Sequence, residues 1–253
     1  MRVFRDTWLL FARSMKETLR SPVWLIIGLF IPICYMLLFA PLLNSLTNAP
    51  GFPAGGALTV FTPGVLVMLS MYSAGFVGYG LLTELRQGVI ERLRVTPVSR
   101  LALLLGRALR DVVNLLVQSV LLVLIAWLMG LRADPVGVLL MFILLILVGL
   151  LMSSLSYALA LATKDENSLA STLQTLTMPL LLLSGILLPL NLAPPQIRFI
   201  ALINPFAYTV DAARALFIGN FGDIKVAQGF VVLLVITLLT LWWAASSFRR
   251  AIA

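Results

Sequence analysis

The residues of this chain that could do chemistry gather mostly in one stretch, 84–107, where Glu84, Arg86, Glu91, Arg92, Arg94, Arg100 and Arg107 fall between long runs without charge. The usual tools of catalysis are absent from it and from the rest of the chain. There is no histidine, which removes the commonest general base and metal ligand. The single cysteine, Cys34, lies in an apolar run, so neither a disulfide framework nor a thiolate metal cluster can form. No G-x-x-x-x-G-K-[ST] phosphate loop, HExxH helix or G-x-S-x-G elbow occurs. What remains is docking. A long mixed-charge segment in a chain otherwise built for lipid points to a surface against which a cytosolic partner presses.

The elements that must position this segment are membrane helices. Of 253 residues, 61% are hydrophobic and 11% charged, with a mean hydropathy of +1.06, whereas a soluble domain carries about 25% charged residues. The apolar residues form continuous runs near the length that crosses ~30 Å of hydrocarbon. The chain therefore reads as an all-α polytopic membrane protein and not as a β-barrel, which would show alternating segments of ~10 residues. The net charge of +8 reflects orientation rather than nucleic acid, because basic residues collect on cytoplasmic loops and no polar domain is available to hold a duplex. The middle of each predicted span lacks charge, where one residue would cost ~2.5–3.5 kcal/mol. An intramembrane enzyme and a proton- or sodium-coupled carrier are both disfavoured on that ground, so the energy must come from elsewhere.

In order, residues 1–21 place Phe4, Trp8, Phe11, Ala12, Met15 and Leu19 on one helical face and basic residues on the other. That division predicts an elbow helix lying in the cytosolic leaflet. No small-residue cleavage site marks a signal peptide. Residues 23–43 form the first span, with Pro32 and Pro41 inside it, and 58–82 the second. Within 84–105, Leu85, Val89 and Leu93 make one apolar stripe. Thr96-Pro97 matches an N-cap followed by a first-turn proline, which predicts two short helices around a turn. The third span, 107–130, begins with Arg107 and Asp111 at i, i+4 and with Arg110 placed to snorkel to headgroups. Residues 136–162 and 169–188 form the fourth and fifth spans, and 226–247 the sixth, with Trp242 and Trp243 near an interface. Residues 189–225, broken by prolines, are too apolar for a plain loop and too interrupted for a span, and read as re-entrant helices. Asp211 and Arg214 stand there at i, i+3, able to pair.

Six spans put both termini on one side. The inner pieces then hold nearly all the arginines, and the outer pieces only Arg132, Arg198, Arg214 and Lys225, which supports cytosolic termini. The arginine-over-lysine bias and compactness point to a bacterial cell membrane. Asn114, Gln118, Ser154, Tyr157, Gln174 and Thr175 are the candidates to line a path. Such residues also bind neighbouring helices, at about 0.6–2 kcal/mol per hydrogen bond.

The segment ERLRVTPVSR at 91–100 and the stretch LLLLSGILLPLNLAPPQIRFIALINPFAYTVDAARALF at 180–217, with the amphipathic start and six spans, carry a resemblance over nearly the whole chain. The chain resembles the ABC-2 type permease family, in its daunorubicin-resistance-like antibiotic and multidrug exporter branch. Its outer loops are short, so a large periplasmic domain is missing. The resemblance implies a homo- or heterodimer of permeases, each half bound to a separate ATP-binding subunit that supplies ATP and Mg2+, with no cofactor in this chain. It implies a coupling helix after the second span, involving Glu84, Leu85, Arg86, Val89, Glu91, Arg92, Leu93 and Arg94, with Thr96, Pro97 and Arg100 at the turn. It also implies an outer gate in the re-entrant region, with Ser184, Gly185, Pro189, Asn204, Pro205, Asp211 and Arg214. The load would be amphipathic or hydrophobic: a drug, an antibiotic or a lipid. Export of a lipid-linked saccharide or polysaccharide is an alternative within transport, and a membrane sensor or scaffold that moves nothing is an alternative of another class.

Overall fold

The computed structural model describes residues 2–20, 23–44, 56–87, 100–187 and 189–251. Among these the chain is helical, with no strand. The helices are α1 (Arg2–Arg20), α2 (Val23–Asn44), α3 (Gly56–Gly75), α4 (Gly78–Arg86), α5 (Arg100–Leu128), α6 (Pro135–Thr163), α7 (Glu166–Leu182), α8 (Pro195–Ala201), α9 (Pro205–Phe217) and α10 (Ile224–Ala251), with a 3-10 turn at Leu190–Leu192. Val89, Glu91, Arg92, Leu93, Arg94, Thr96 and Pro97, most of the expected coupling segment, lie outside the described residues.

Local chemistry sets the helix starts. Asp134 caps α6 by accepting from the Gly137 N–H at 2.9 Å, with Pro135 in the first turn. Asn204 caps α9 in the same way, accepting from Phe206, with Pro205 behind it. Asp165 caps α7, and the hydrogen bonds from the Ser168 N–H and hydroxyl hold its carboxyl below the usual carboxylate range. Lys164 closes α6 in the left-handed region, at φ 53°.

Four helical stretches among the described residues are long and apolar enough to cross a bilayer: Gly56–Arg86, Gly106–Leu128, Pro135–Thr163 and Ile224–Phe248. The first runs through α3 and α4 with a break at Phe76 and Val77. Of the two other expected spans, α2 has a shorter apolar core, Ile27–Phe39, and α7 is 17 residues long. At ~1.5 Å per residue, α7 falls short of a ~30 Å hydrocarbon layer. Where the fifth span was expected at 169–188, the helix runs Glu166–Leu182. Its far end turns early because the Ser184 hydroxyl caps back onto the Leu181 carbonyl at 2.6 Å and Gly185 takes φ +75°.

The bundle is organised around α3, which is apolar and buried on all sides and touches α2, α5, α6 and α9. Phe61, Val65, Leu66, Met68 and Met71 form the middle of the main core. The second core cluster, at the other end, joins Leu81, Tyr157, Leu169 and Phe248 from α4, α6, α7 and α10. Large apolar side chains line the outside of α2, α5 and α10, including Phe30, Leu38, Trp127, Leu238 and Trp242. Against acyl chains that exposure carries no hydrophobic cost. Contact between α9 and α6 is so close that a β-carbon on Gly137 would fall 1.8 Å from the Leu216 carbonyl oxygen.

Two ends can be told apart. At one, Glu84 meets Arg107, α1 rests on α5 at Gly106, and Phe248 joins the second cluster, so the first and last helices meet the bundle at the same end. At the other, the Thr59 hydroxyl donates to the Arg132 carbonyl and Arg214 reaches back to α3.

Candidate coupling site

At the Glu84 end, α4 is fastened to three helices. Its first turn meets α6: the Gly78 N–H donates to the Ser156 hydroxyl at 2.9 Å, and the backbones lie so close that a β-carbon on Gly78 would sit 2.7 Å from Ser156 atoms. Its last turn meets α5 through the Arg107 guanidinium and the Glu84 carboxylate. It meets α7 through Arg86 and Glu166 at 3.0 Å. This last pair is exposed, and pairs of that kind contribute about 0–1 kcal/mol. Arg107 is buried, and among the described residues its Nη1 has no partner.

One turn further along α5, Asp111 is held from two sides. Arg110 donates to Oδ1 through Nε at 2.9 Å and Nη2 at 2.6 Å, and the buried Tyr157 hydroxyl of α6 donates to Oδ2. One expectation is corrected here: Arg110 grips Asp111 instead of snorkelling, with its side chain 20% exposed, while Arg107 turns to Glu84 across helices. The reason is local. A carboxylate buried between helices needs compensating donors, and the neighbouring guanidinium is the nearest supply.

Deeper in the bundle, the Ser73 hydroxyl donates to Gln118 Oε1 at 2.8 Å, joining α3 to α5. Gln118 also abuts Gly28 of α2, where a β-carbon would come 2.6 Å from its amide nitrogen.

At the far end the contacts are of another kind. Arg214 is buried in α9, and its Nε donates to the Val60 carbonyl at 2.9 Å and its Nη2 to the Gly185 carbonyl at 2.7 Å. The foreseen Asp211 contact exists at 3.9 Å, longer than either carbonyl bond. Asn204 donates to the Leu180 carbonyl at 2.6 Å, so the cap of α9 is pinned to the end of α7. Ser184, Gly185 and Pro189 are buried around the same junction.

The described chain matches a protein family along most of its length, the model for "ABC-2 type transporter" covering residues 5–218. This chain belongs to the ABC-2 type transporter family. It is 28% identical over 212 residues to the "Daunorubicin resistance ABC transporter permease protein DrrB1" of Streptomyces coeruleorubidus, covering 83% of this chain and 74% of that protein. It is 26% identical over 251 residues to "Putative transport permease ycf38" of Cyanophora paradoxa, covering 93% and 86%. The protein of the same description from Pyropia yezoensis is 29% identical over 259 residues, covering 95% and 87%.

In this ABC-2 type transporter, the residues singled out from the sequence divide by environment. Glu84 and Leu85 are half-buried and Arg86 is exposed at the end of α4, while Arg100 opens α5. Gln118, Ser154 and Tyr157 are buried in the packing, Asn114 is half-buried, and Gln174 and Thr175 are exposed on α7. The Ser154 hydroxyl is bound to the Leu150 carbonyl of its own helix. The six candidates for a path thus differ in burial. The residues not foreseen as part of the site are Ser156, Glu166, Arg110 and Asp111. Asp111 and Tyr157 lie 46 positions apart, and no periodic rule joins positions on different helices. The one available signal was the ionisable Asp111 at the edge of an apolar run, a position that needs a partner.

Proposed function

We propose that this chain is the transmembrane permease subunit of an ATP-driven exporter, powered by a separate ATP-binding subunit that docks at the Glu84 end. The observation that carries this reading, within the family membership, is the fastening of α4 to α5, α6 and α7 by Arg107, Ser156 and Glu166. A push delivered to the segment that follows α4 reaches three helices through polar contacts with defined partners. Each state of the ATP-binding subunit then favours one arrangement of those helices. Arg92, Arg94 and Arg100 supply the charges the partner meets, with Thr96 and Pro97 in the same segment. ATP and Mg2+ belong to that partner.

The Glu84 end is the cytosolic one on this reading. Support comes from the first and last helices meeting the bundle there and from the concentration of arginines on those segments. The assembly is two permeases, identical or homologous, with two ATP-binding subunits, in a cell membrane. The load is an amphipathic or hydrophobic drug, antibiotic or lipid. Similarity to a daunorubicin resistance permease supports that class. Asn114, Gln118, Ser154, Tyr157, Gln174 and Thr175 are the residues assigned to the path, and Ser184, Gly185, Pro189, Asn204, Pro205, Asp211 and Arg214 to the outer closure.

The test is purification of the tagged permease from its host in mild detergent. An ATP-binding protein is expected at one copy per permease, with ATP turnover in the same fractions. Arg94→Glu combined with Arg100→Glu should release it. Full assembly and transport in that double variant would remove the docking assignment.

A further inference from the structure

A pocket of about 290 Å³ opens at the Arg214 end, between the 3-10 turn, α8, α9 and the start of α10. Arg198, Asp211, Lys225 and Gln228 bring polar atoms to it, and Leu190 and Leu202 give it an apolar wall. Its charges do not balance. Among the described residues the Arg198 guanidinium is bound to neutral oxygens, donating to the Ala193 carbonyl at 2.8 Å and the Asn191 carbonyl at 2.6 Å. Lys225 Nζ stands 3.4 Å from Asp211, and that same carboxylate also faces Arg214 at 3.9 Å. One carboxylate therefore serves two cations, and Arg198 lines the same pocket without a carboxylate partner among the described residues. Asp223, the nearest other acid in sequence, accepts from the Lys225 backbone N–H at the start of α10 and does not line the pocket. Among the residues that line the pocket, two cations, Arg198 and Lys225, face the single carboxylate of Asp211.

Beside this cationic hollow lies an apolar shelf. Phe199 and Ile200 of α8 and Leu202 and Ile203 just beyond it are exposed, Ile203 at 83% and Phe199 at 71%. The volume lies at the small end of ligand sites, which run from about 300 to 1,000 Å³, enough for a headgroup and too little for a whole amphiphile. Basic residues on outer segments run against the bias that orients membrane proteins. Of the four on the outer side in the proposed topology, two, Arg198 and Lys225, line this pocket.

We propose that this pocket holds the phosphate-bearing headgroup of an anionic lipid, with its acyl chains laid over the apolar shelf of α8. Phosphate oxygens meet the Lys225 ammonium and the free edge of Arg198, and Gln228 adds a neutral donor. The chains cover the shelf, which a free anion would leave bare. The outer-leaflet location rests on the proposed orientation, whereas binding itself does not.

The experiment uses the full chain alone in detergent, without an ATP-binding subunit, and native mass spectrometry with phosphatidylglycerol or phosphatidylcholine. The wild type is expected to retain one phosphatidylglycerol in preference to phosphatidylcholine. Lys225→Glu should weaken that retention roughly tenfold, since it removes one attraction and adds one repulsion near the headgroup. Lys225→Gln should give a smaller loss, and Lys164→Glu at the opposite end should give none. Thermal unfolding of each variant separates lost binding from lost fold. Equal retention of the two lipids, or unchanged retention in a folded Lys225→Glu, overturns the proposal. So does binding of inorganic phosphate that displaces the lipid without any contribution from its chains, which would make the occupant a free anion. Loss of a dimer in place of a lipid would assign the face to a second copy and overturn it likewise. Transport is not read, so failure here leaves the exporter assignment standing, and failure of that assignment leaves this one.

Discussion

The two ends of the bundle use arginine in opposite ways. At the Glu84 end, cations meet carboxylates on other side chains: Arg107 with Glu84, Arg86 with Glu166, Arg110 with Asp111. At the Arg214 end, cations meet backbone carbonyls, Arg214 on Val60 and Gly185, Arg198 on Ala193 and Asn191. The difference is mechanical. Two side chains on flexible stems follow each other when their helices shift, and they can change partners. A carbonyl belongs to the backbone, so a guanidinium bound to it fixes one segment against another. One end is joined by links that tolerate motion, and the other by staples that resist it. That division suits a protein in which force enters at one end and a closure is held at the other.

The comparison can be broken by charge reversal. The largest effect is expected from Arg214→Glu. A buried carboxylate would then face two carbonyl oxygens, and uncompensated buried charge costs about 3–5 kcal/mol or more, a large part of the ~5–15 kcal/mol that holds a typical fold. Little monodisperse protein should survive detergent extraction in size-exclusion chromatography, and no single second substitution should rescue it, because the partners are main-chain atoms. A well-behaved, thermally stable variant would show that the staple is dispensable.

At the other end rescue is the expected result. Arg107→Glu should destabilise by about 3 kcal/mol, as one buried partner is left opposite a like charge, and adding Glu84→Arg should recover most of that loss. Unfolding curves of the two singles and the double, read as a mutant cycle, measure the coupling. A double variant no better than the worse single would mean that this end, too, is fixed by its surroundings. The smallest change is expected from Tyr157→Phe, which removes the hydroxyl bonded to Asp111 and keeps the ring in the second core cluster. A loss of about 1–2 kcal/mol fits a hydrogen bond of this kind. If the links serve coupling, ATP turnover in the assembled complex should persist while transport per ATP falls. Parallel loss of both would make Tyr157 a packing residue.

Much of this division could be read from the residues in advance, and some could not. The helices were legible because apolar runs bounded by Asp134-Pro135, Lys164-Asp165 and Asn204-Pro205 carry their own start and stop chemistry. The helical character of 205–217 was foreseen from the prolines and the apolar content of 189–225, whereas the break around Ser184–Gly185 falls inside the span expected at 169–188. The early end of α7 was not foreseen, since it depends on Ser184 folding back to Leu181 within an apolar run. Side-chain partners were the least legible. Arg107 and Asp111 at i, i+4 invited a pair on one helix, yet each found a better partner on a helix distant in sequence. The same holds for Arg214, whose spacing from Asp211 is local and whose shortest bonds are to α3 and the turn after α7. Spacing reports what a helix can do alone, and tertiary packing decides among the offers.

The close seating of α9 bears on how the protein is made. This helix is packed against α3, α6 and α10, with Phe206, Val210, Ala213 and Leu216 buried and the Leu216 carbonyl pressed onto Gly137. Synthesis runs from the N-terminus, and the earlier parts of a chain become available first. During biogenesis α3 and α6 therefore enter the bilayer while the slot between them stands without its protein filling. The close fit of α9 against Gly137 is thus a contact that only the later part of the chain can complete.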